Sequence, residues 1–553
     1  MARGSLSVVG TGFLVAGQTT PEALSLIRGA ERLLLLVAEP ATRIWLESQN
    51  PTARSLGDSF WEGRPRRESY EEVVERILEP VRAGQRVCAA FYGHPGVFVH
   101  SSHEAVRRAR AEGLAATMLP GVSAEDCLYA DLGVDPALHG CQSFEATDWL
   151  LRHRPVDPTA ALVLWQIGAL GTTTYSTRSV WNPDALPVLV EALRRTYPAD
   201  HRVVVYEATQ YPVCGPLIQE LPLVDLPRAQ VSTYSTLYVP PLREAALDRE
   251  MLERLGFGGG PRPRWGLGGA PAAAVSPVAP AARVTAGGSL TVVGTGYRVA
   301  GQVTPESRVA MERADRLLYL VTDPATSAWL RALNPSAESL HDCYREGEDG
   351  AAAADRMVAR ILAPLREGRR VCAAFSGHPG ILVHAARLAL EAARSEGFPA
   401  GMLPAVSCED CLFADLGFDP AVPGRLLFDA SDFLLRPREL DPTAALVLLQ
   451  AGAAGLHRYR SGREPDRAGL AALAEVLGRR YPADHPVVLY EADPLPPFEP
   501  RITRLALADL PAAPASVVST LLVTPQWPRP LDGALLERLR RAAGELTPEA
   551  RAV

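Results

Sequence analysis

An arginine and a tyrosine stand four residues apart in the stretch RPRRESYEE, as Arg66 and Tyr70. Residues at that spacing share one face of a helix, provided the helix already includes Arg66. A guanidinium beside a phenol favours the phenolate and lowers its pKa, which would make Tyr70 a proton acceptor. By itself such a pair reads as a solvated helix face. A second tract, AFYGHPGVF over 90–98, closes an apolar run. Its glycines and proline fix a turn, and Tyr92 and His94 bring polar side chains to a strand's carboxyl end, where open α/β sheets bind ligands. A local hydrogen bond is the plainer role for His94. Gly10, Gly12 and Gly17 follow the run LSVVG and let backbone turn tightly or approach a ligand. Their spacing, G-x-G-x4-G, leaves Val15 where a dinucleotide fingerprint needs its third glycine, which argues against a nicotinamide cofactor.

These tracts belong to a sequence that repeats itself. GSLSVVGTGFLVAGQTTPE at Gly4 returns as GSLTVVGTGYRVAGQVTPE at Gly288, a shift of 284 residues. The shift is the same for FYGHPG and FSGHPG, for SAEDCLYADLG and SCEDCLFADLG, and for both YPADH segments. A first copy over 1–255 and a second over 288–541 are joined by a Gly/Pro/Ala-rich linker, 256–287, and followed by a tail, 542–553. Within a copy, short apolar runs alternate with amphipathic segments, which predicts α/β architecture with two lobes dividing near Pro120–Gly121. The register also exposes a loss. Arg66 becomes Gly350, Tyr70 becomes Ala354 and Tyr92 becomes Ser376, while His378, Ser407, Gln450 and Thr520 persist. The second copy keeps the scaffold and lacks the side chains that could move a proton.

Composition limits the function classes. The 553 residues carry a formal net charge of −7, and every basic residue is arginine. That balance argues against nonspecific nucleic-acid binding, and without lysine there is no Schiff-base or P-loop lysine chemistry. No apolar run is long enough to span a membrane and the N-terminus does not read as a signal peptide, so a cytoplasmic protein is expected. Eight cysteines in this length do not suggest a disulfide framework. Cys408 and Cys411 form a lone CxxC whose first-copy counterparts are Ala124 and Cys127, which argues against a metal site.

Taken together, VVGTG, GHPGVF and MLPGVSAEDCLYADLG resemble the tetrapyrrole-methylase superfamily. FYGHPGVFV, MLPGVSAEDCL, EATDWLLRHRPV and STLYVPP resemble most closely its omphalotin-type borosin branch, whose members methylate peptide backbone amides. The resemblance implies two tandem units, each with an S-adenosylmethionine cleft between its lobes. It implies cofactor contacts at Gly10, Gly12, Tyr92, His94, Val97, Ser123, Ala124, Gln166 and Thr236. Arg66 and Tyr70 match the branch's catalytic pair. A further tyrosine of that site falls on Phe60, leaving substrate orientation to Phe60 or Trp61.

In this light, Tyr70 is the base, Arg66 its electrostatic partner and Tyr92 the group that places the amide oxygen. Because relatives dimerise, the two copies are expected to pair within one chain. The linker, at roughly 5–6 Å × √n, reaches on the order of 30 Å. The last segment carries no apolar core peptide, so the acceptor is expected to be a precursor peptide supplied in trans. Two rival readings stay open: carbon methylation of a tetrapyrrole-like small molecule, and a non-catalytic cofactor- or peptide-binding protein.

Overall fold

The computed structural model describes residues 4–256, 287–456, 458–462, 464–495 and 498–545. All but the ends of the expected linker, and residues 546–553 of the tail, lie outside these. The first copy opens with β1 (Ser5–Gly10), α1 (Pro21–Gly29), β2 (Arg32–Leu36), α2 (Pro40–Gln49), β3 (Arg54–Ser55), α3 (Arg66–Arg82), β4 (Arg86–Phe91), α4 (His100–Ala111) and β5 (Ala115–Met118). Its five strands form one parallel sheet in the order β3-β2-β4-β1-β5. Val8 and Val9 at its centre are fully buried, as an apolar run covered by helices on both faces requires.

A second lobe follows: α5 (Ala124–Leu132), β6 (Cys141–Glu145), α6 (Ala146–Leu151), β7 (Ala161–Trp165), α7 (Leu186–Leu193), β8 (Arg202–Glu207), β9 (Leu217–Pro222), β10 (Thr236–Val239) and α8 (Arg249–Arg254). Ser123 caps α5 by a reciprocal capping box with Asp126, and Gly133 ends it at φ 67°. The second copy repeats both lobes, with β11 (Ser289–Gly294), β12 (Arg316–Leu320), β13 (Glu338–Ser339), β14 (Arg370–Phe375) and β15 (Ala400–Met402) in a matching parallel sheet. Then come β16 (Arg425–Asp429), β17 (Ala445–Leu449), β18 (Pro486–Glu491), β19 (Arg501–Ala506) and β20 (Thr520–Val523).

The second lobes of the two copies do not form separate sheets. They make one ten-stranded sheet, β19-β18-β20-β17-β16-β6-β7-β10-β8-β9, joined by antiparallel pairing of β16 with β6. At this seam Arg425 of β16 lies opposite Ser143 of β6 and is fully buried. Its guanidinium reaches Glu125 of the first copy and Glu409 of the second, each at 2.7 Å. Glu125 also accepts from Tyr129 at 3.1 Å and from Ser143, whereas the other oxygen of Glu409 has no partner. The repeat register puts Cys141 where the first copy would have its own Arg425. One arginine therefore serves two glutamates, an asymmetric arrangement that two identical units could not supply.

Candidate functional site

At the carboxyl end of β1 the loop carrying Gly12 locks to the turn after β4. Gly93 N–H donates to the Gly12 carbonyl at 2.9 Å, and Gly12 N–H returns a bond at 3.3 Å. Both glycines have φ near +65°, a conformation that disfavours side chains. These loops face the ends of β8 and β10 across a cleft that opens to solvent between the lobes. The predicted residues Gly12, Tyr92, Ala124 and Thr236 line it. So do residues the sequence reading missed, among them Phe13, Val37, Glu39, Gln210 and Tyr234. Val37 and Glu39 follow β2, whose carboxyl end sits beside that of β4; the same strand-end rule, applied to β2, would have found them.

The other predicted cofactor residues have different surroundings. A Cβ on Gly10 would stand 2.3 Å from the Gly93 carbonyl oxygen, so this glycine permits two backbones to cross. His94 is 2% exposed and uses both ring nitrogens. Nδ1 accepts from Gly96 N–H at 2.8 Å, and Nε2 lies 2.9 Å from the Asp410 carbonyl of the second copy. Burial pushes its pKa down to about 3, which keeps the ring neutral. His378 mirrors it, 3.0 Å from the Asp126 carbonyl. Ser123 is engaged in its capping box, and with Val97 it borders the crevice around Arg425. Gln166 turns the chain out of β7 in the left-handed region, φ 55°, outside the cleft lining.

Beside the cleft lie two groups of aromatic side chains. The centroid of Tyr70 is 6.0 Å from Phe60 and 6.1 Å from His100. Phe60 lies 5.7 Å from Tyr175, which lies 5.5 Å from Trp181. Tyr92 sits 6.1 Å from Phe13 and 6.4 Å from Tyr234, edge-on to both. Burial pushes the Tyr92 phenol well above its ordinary pKa, with Tyr234 and Tyr70 adding to the effect. That keeps its proton and makes it a hydrogen-bond donor.

Arg66 is the first residue of α3, so it does share a helical face with Tyr70. Its guanidinium, however, donates to the Thr172 carbonyl and lies 5.3 Å from the Trp181 ring. The expected Arg66–Tyr70 pair thus sits within a larger frame, because the loop 172–175 runs alongside residues 63–66 and supplies the acceptor. Glu145, which caps α6, is half-buried and its carboxyl is raised by desolvation; hydrogen bonds from Thr147 and Asp148, and then the charge of Arg66, offset part of that. Trp61 is 53% exposed and carries the Arg64 guanidinium 3.9 Å above its ring, at the rim of this region.

The second copy lacks half of the side chains in these two groups. Tyr70, Tyr92, Trp181 and Tyr234 become Ala354, Ser376, Pro465 and Val518. Tyr344 and Tyr459, which replace Phe60 and Tyr175, stack on each other at 4.7 Å and 19°.

Comparison with known proteins follows the repeat. The model for the family Tetrapyrrole (Corrin/Porphyrin) Methylases matches residues 5–211 and again 289–492. The chain is 41% identical over 251 residues to the methyltransferase and ribosomally synthesized cyclic peptide gymnopeptides precursor of Gymnopus fusipes, covering 44% of this chain and 60% of that one. It is 39% identical over 256 residues to the corresponding omphalotin A precursor of Omphalotus olearius, covering 46% and 61%. The match therefore spans about 60% of these relatives' own length. Among solved structures, a uroporphyrin-III-C-methyltransferase from Thermus thermophilus aligns at 20% identity and a TM-score of 0.33, over 43% of this chain and 93% of that one. With one family model matching both halves and accounting for well over half of the residues, the chain belongs to the tetrapyrrole methylase family.

Proposed function

We propose that the protein transfers a methyl group from S-adenosylmethionine to backbone amide nitrogens of a peptide, with the chemistry in the first copy alone. The observation that carries this is a pair of aromatic groups at the interlobe cleft, Tyr70 and Tyr175 around Phe60 and Tyr234 against Tyr92; at these four tyrosine positions the second copy keeps only Tyr459. Relatives named as methyltransferases and cyclic peptide precursors, at 38–41% identity, support the substrate class.

The cleft suits the cofactor. Gly12 brings bare backbone to its lining, and Glu39 offers a carboxylate for hydroxyl or ammonium groups. The rings of Phe13, Tyr92 and Tyr234 offer π-faces that attract a sulfonium cation. Ala124 and Thr236 complete the lining between the lobes. When bound, the cofactor supplies an electrophilic methyl group.

An amide nitrogen is a poor nucleophile because its lone pair is delocalised into the carbonyl. The site must therefore remove the N–H proton and stabilise charge that grows on oxygen. Tyr70, entering as the phenolate, takes the proton and becomes the neutral phenol, and Arg66, anchored to the Thr172 carbonyl, supplies positive charge on the same helical face. Tyr92, held neutral by burial, donates its hydroxyl hydrogen to the amide oxygen. Phe60 and Tyr175 exclude water and pack against the flat peptide unit, with Trp61 at the rim. His94, Ser123 and Val97 serve the contact between copies, and the two copies work as an intramolecular pair.

No helix among the described residues is long and apolar enough to cross a membrane, and all eight cysteines are free, which supports a reducing, cytoplasmic setting. In this proposal the peptide arrives as a separate chain. The test is mass spectrometry after incubating the purified protein with S-adenosylmethionine and a candidate precursor. Methyl groups should accumulate on the precursor's backbone nitrogens. Methyl groups on this protein's own residues would overturn supply in trans. Methylation of a tetrapyrrole precursor, with none on peptide, would overturn the substrate class.

A further inference from the structure

The loop that holds Arg66 is itself held by the other copy. Residues 172–175 run antiparallel to 63–66: Arg66 N–H donates to the Thr173 carbonyl at 2.9 Å, and Tyr175 N–H to the Arg64 carbonyl at 2.8 Å. Gly63 N–H returns a bond to the Tyr175 carbonyl at 2.9 Å. The loop also presents two backbone N–H groups and two hydroxyls to one carboxylate, Glu545. This residue lies just beyond the C-terminal helix Gly533–Ala542 of the second copy. It accepts from Thr173 N–H at 2.8 Å, Thr174 N–H at 2.9 Å, Thr173 Oγ1 at 2.8 Å and Thr174 Oγ1 at 2.7 Å. Its side chain is only 6% exposed, and Arg540 lies 3.3 Å away. The same helix closes over the adjoining turn. Asn182 Nδ2 donates to the Leu539 carbonyl at 3.0 Å, and a Cβ on Gly171 would come within 2.4 Å of the Leu539 side chain.

The repeat register sharpens the point. Thr173 and Thr174 correspond to His457 and Arg458, and Glu545 corresponds to Pro261. The backbone pairing itself persists in the second copy, where Tyr459 N–H donates to the Glu348 carbonyl at 2.8 Å. Only the carboxylate and the two threonines that receive it are confined to one side. That is the side where Arg66 stands; its counterpart is Gly350.

We infer that Glu545 is a positioning residue: supplied by the first residues of the tail, just past the last helix of the second copy, it fixes the loop 172–175 and through it the guanidinium of Arg66, so the segment that ends the catalytically silent copy completes the active one. This rests on the role given to Arg66 above. Hydrogen bonds to an ionised acceptor are the strong ones, and four of them converge here on the outer turn of the loop, at Thr173 and Thr174. Without them the loop falls among the segments that open at low free energy. Arg66 would then lose both its backbone and its side-chain anchor, and displacement of a reacting or charge-stabilising group by about 1 Å costs roughly 10²-fold in rate.

The experiment compares Glu545→Ala, Glu545→Asp, Glu537→Ala, Arg66→Ala and the Arg66→Ala/Glu545→Ala double variant in the full chain. Glu537 is the control, since its side chain is 62% exposed and pairs with Arg541 on the same helix, at 3.2 Å. Glu545→Ala should lower kcat for methyl transfer about 10- to 10²-fold, leaving the Kd for S-adenosylhomocysteine unchanged. Glu545→Asp should recover part of the loss, and Glu537→Ala should behave as wild type. In the Arg66→Ala background, Glu545→Ala should cost nothing further. Hydrogen exchange at the amides of Thr173, Thr174 and Arg66 should accelerate in Glu545→Ala. Unchanged kcat in Glu545→Ala alongside an inactive Arg66→Ala overturns this inference alone. So do losses that multiply in the double variant, as a merely structural role would give. Wild-type turnover in Arg66→Ala overturns the reading of the site and this inference with it.

Discussion

Replacing Arg425 by cysteine, the residue its counterpart position holds in Cys141, should destabilise the protein in a pH-dependent way. The variant leaves Glu125 and Glu409 buried at the seam without their shared cation. Removing one partner of a buried ion pair costs about 3–5 kcal/mol. Glu125 keeps its bonds from Tyr129 and Ser143, but Glu409 has no other partner. With Arg425 present, burial already pushes Glu409 up to about 7, the arginine charge offsetting part of that rise.

A carboxyl raised in the folded state binds protons there that the unfolded chain releases near its ordinary value. Stability is therefore fully present below the unfolded pKa and is lost as pH rises through the folded one. In the wild type that loss stops once Glu409 ionises, near pH 7. In Arg425→Cys the carboxyl stays neutral, and the loss continues at about 1.4 kcal/mol per further pH unit. The destabilisation at pH 8 should thus exceed that at pH 6 by about 1.4 kcal/mol. Urea denaturation of both proteins at the two pH values measures this. Equal destabilisation at pH 6 and pH 8 would refute the argument, and Arg425→Cys/Glu409→Gln should regain part of the loss at pH 8.

Tyr70→Phe and Arg66→Ala should each cut methyl transfer by at least ~10²-fold without unfolding the protein, read by product mass and thermal melting together. Ala124→Trp should weaken binding of S-adenosylhomocysteine by at least ~10-fold in calorimetry, since Ala124 lines the cleft; unchanged affinity would put the cofactor elsewhere. His94→Ala and His378→Ala should cost similar stability, about 1–3 kcal/mol each, because each ring holds a backbone carbonyl of the opposite copy. A fully stable His378→Ala would contradict that symmetry.

What the sequence determined is local or repetitive. Alternating apolar runs specify buried strands, and the glycines after β1 and β4 specify loops that approach each other, because turn chemistry and side-chain periodicity act over a few residues. The constant shift of 284 residues exposes what the second copy has lost at Gly350, Ala354 and Ser376 without any structure. Other roles were assigned by the company residues keep along the chain, and there the fold adds partners that the chain order does not show. His94 and Ser123 lie in the motifs that line a cofactor cleft, yet His94 reaches Asp410, 316 residues away, and Ser123 caps its own helix. Tyr175 and Trp181 reach Phe60 beside Tyr70, and Tyr234 reaches Tyr92, only because loops after β7 and before β10 return to the first lobe. Arg425 and Glu545 are ordinary charged residues in the sequence, indistinguishable from a solvated surface. Burial between two copies turns one into the neutraliser of two glutamates and the other into the brace of a loop 371 residues earlier. Such pairings leave no periodic trace, since the energy that selects them comes from desolvation at contacts that exist only once the chain has folded.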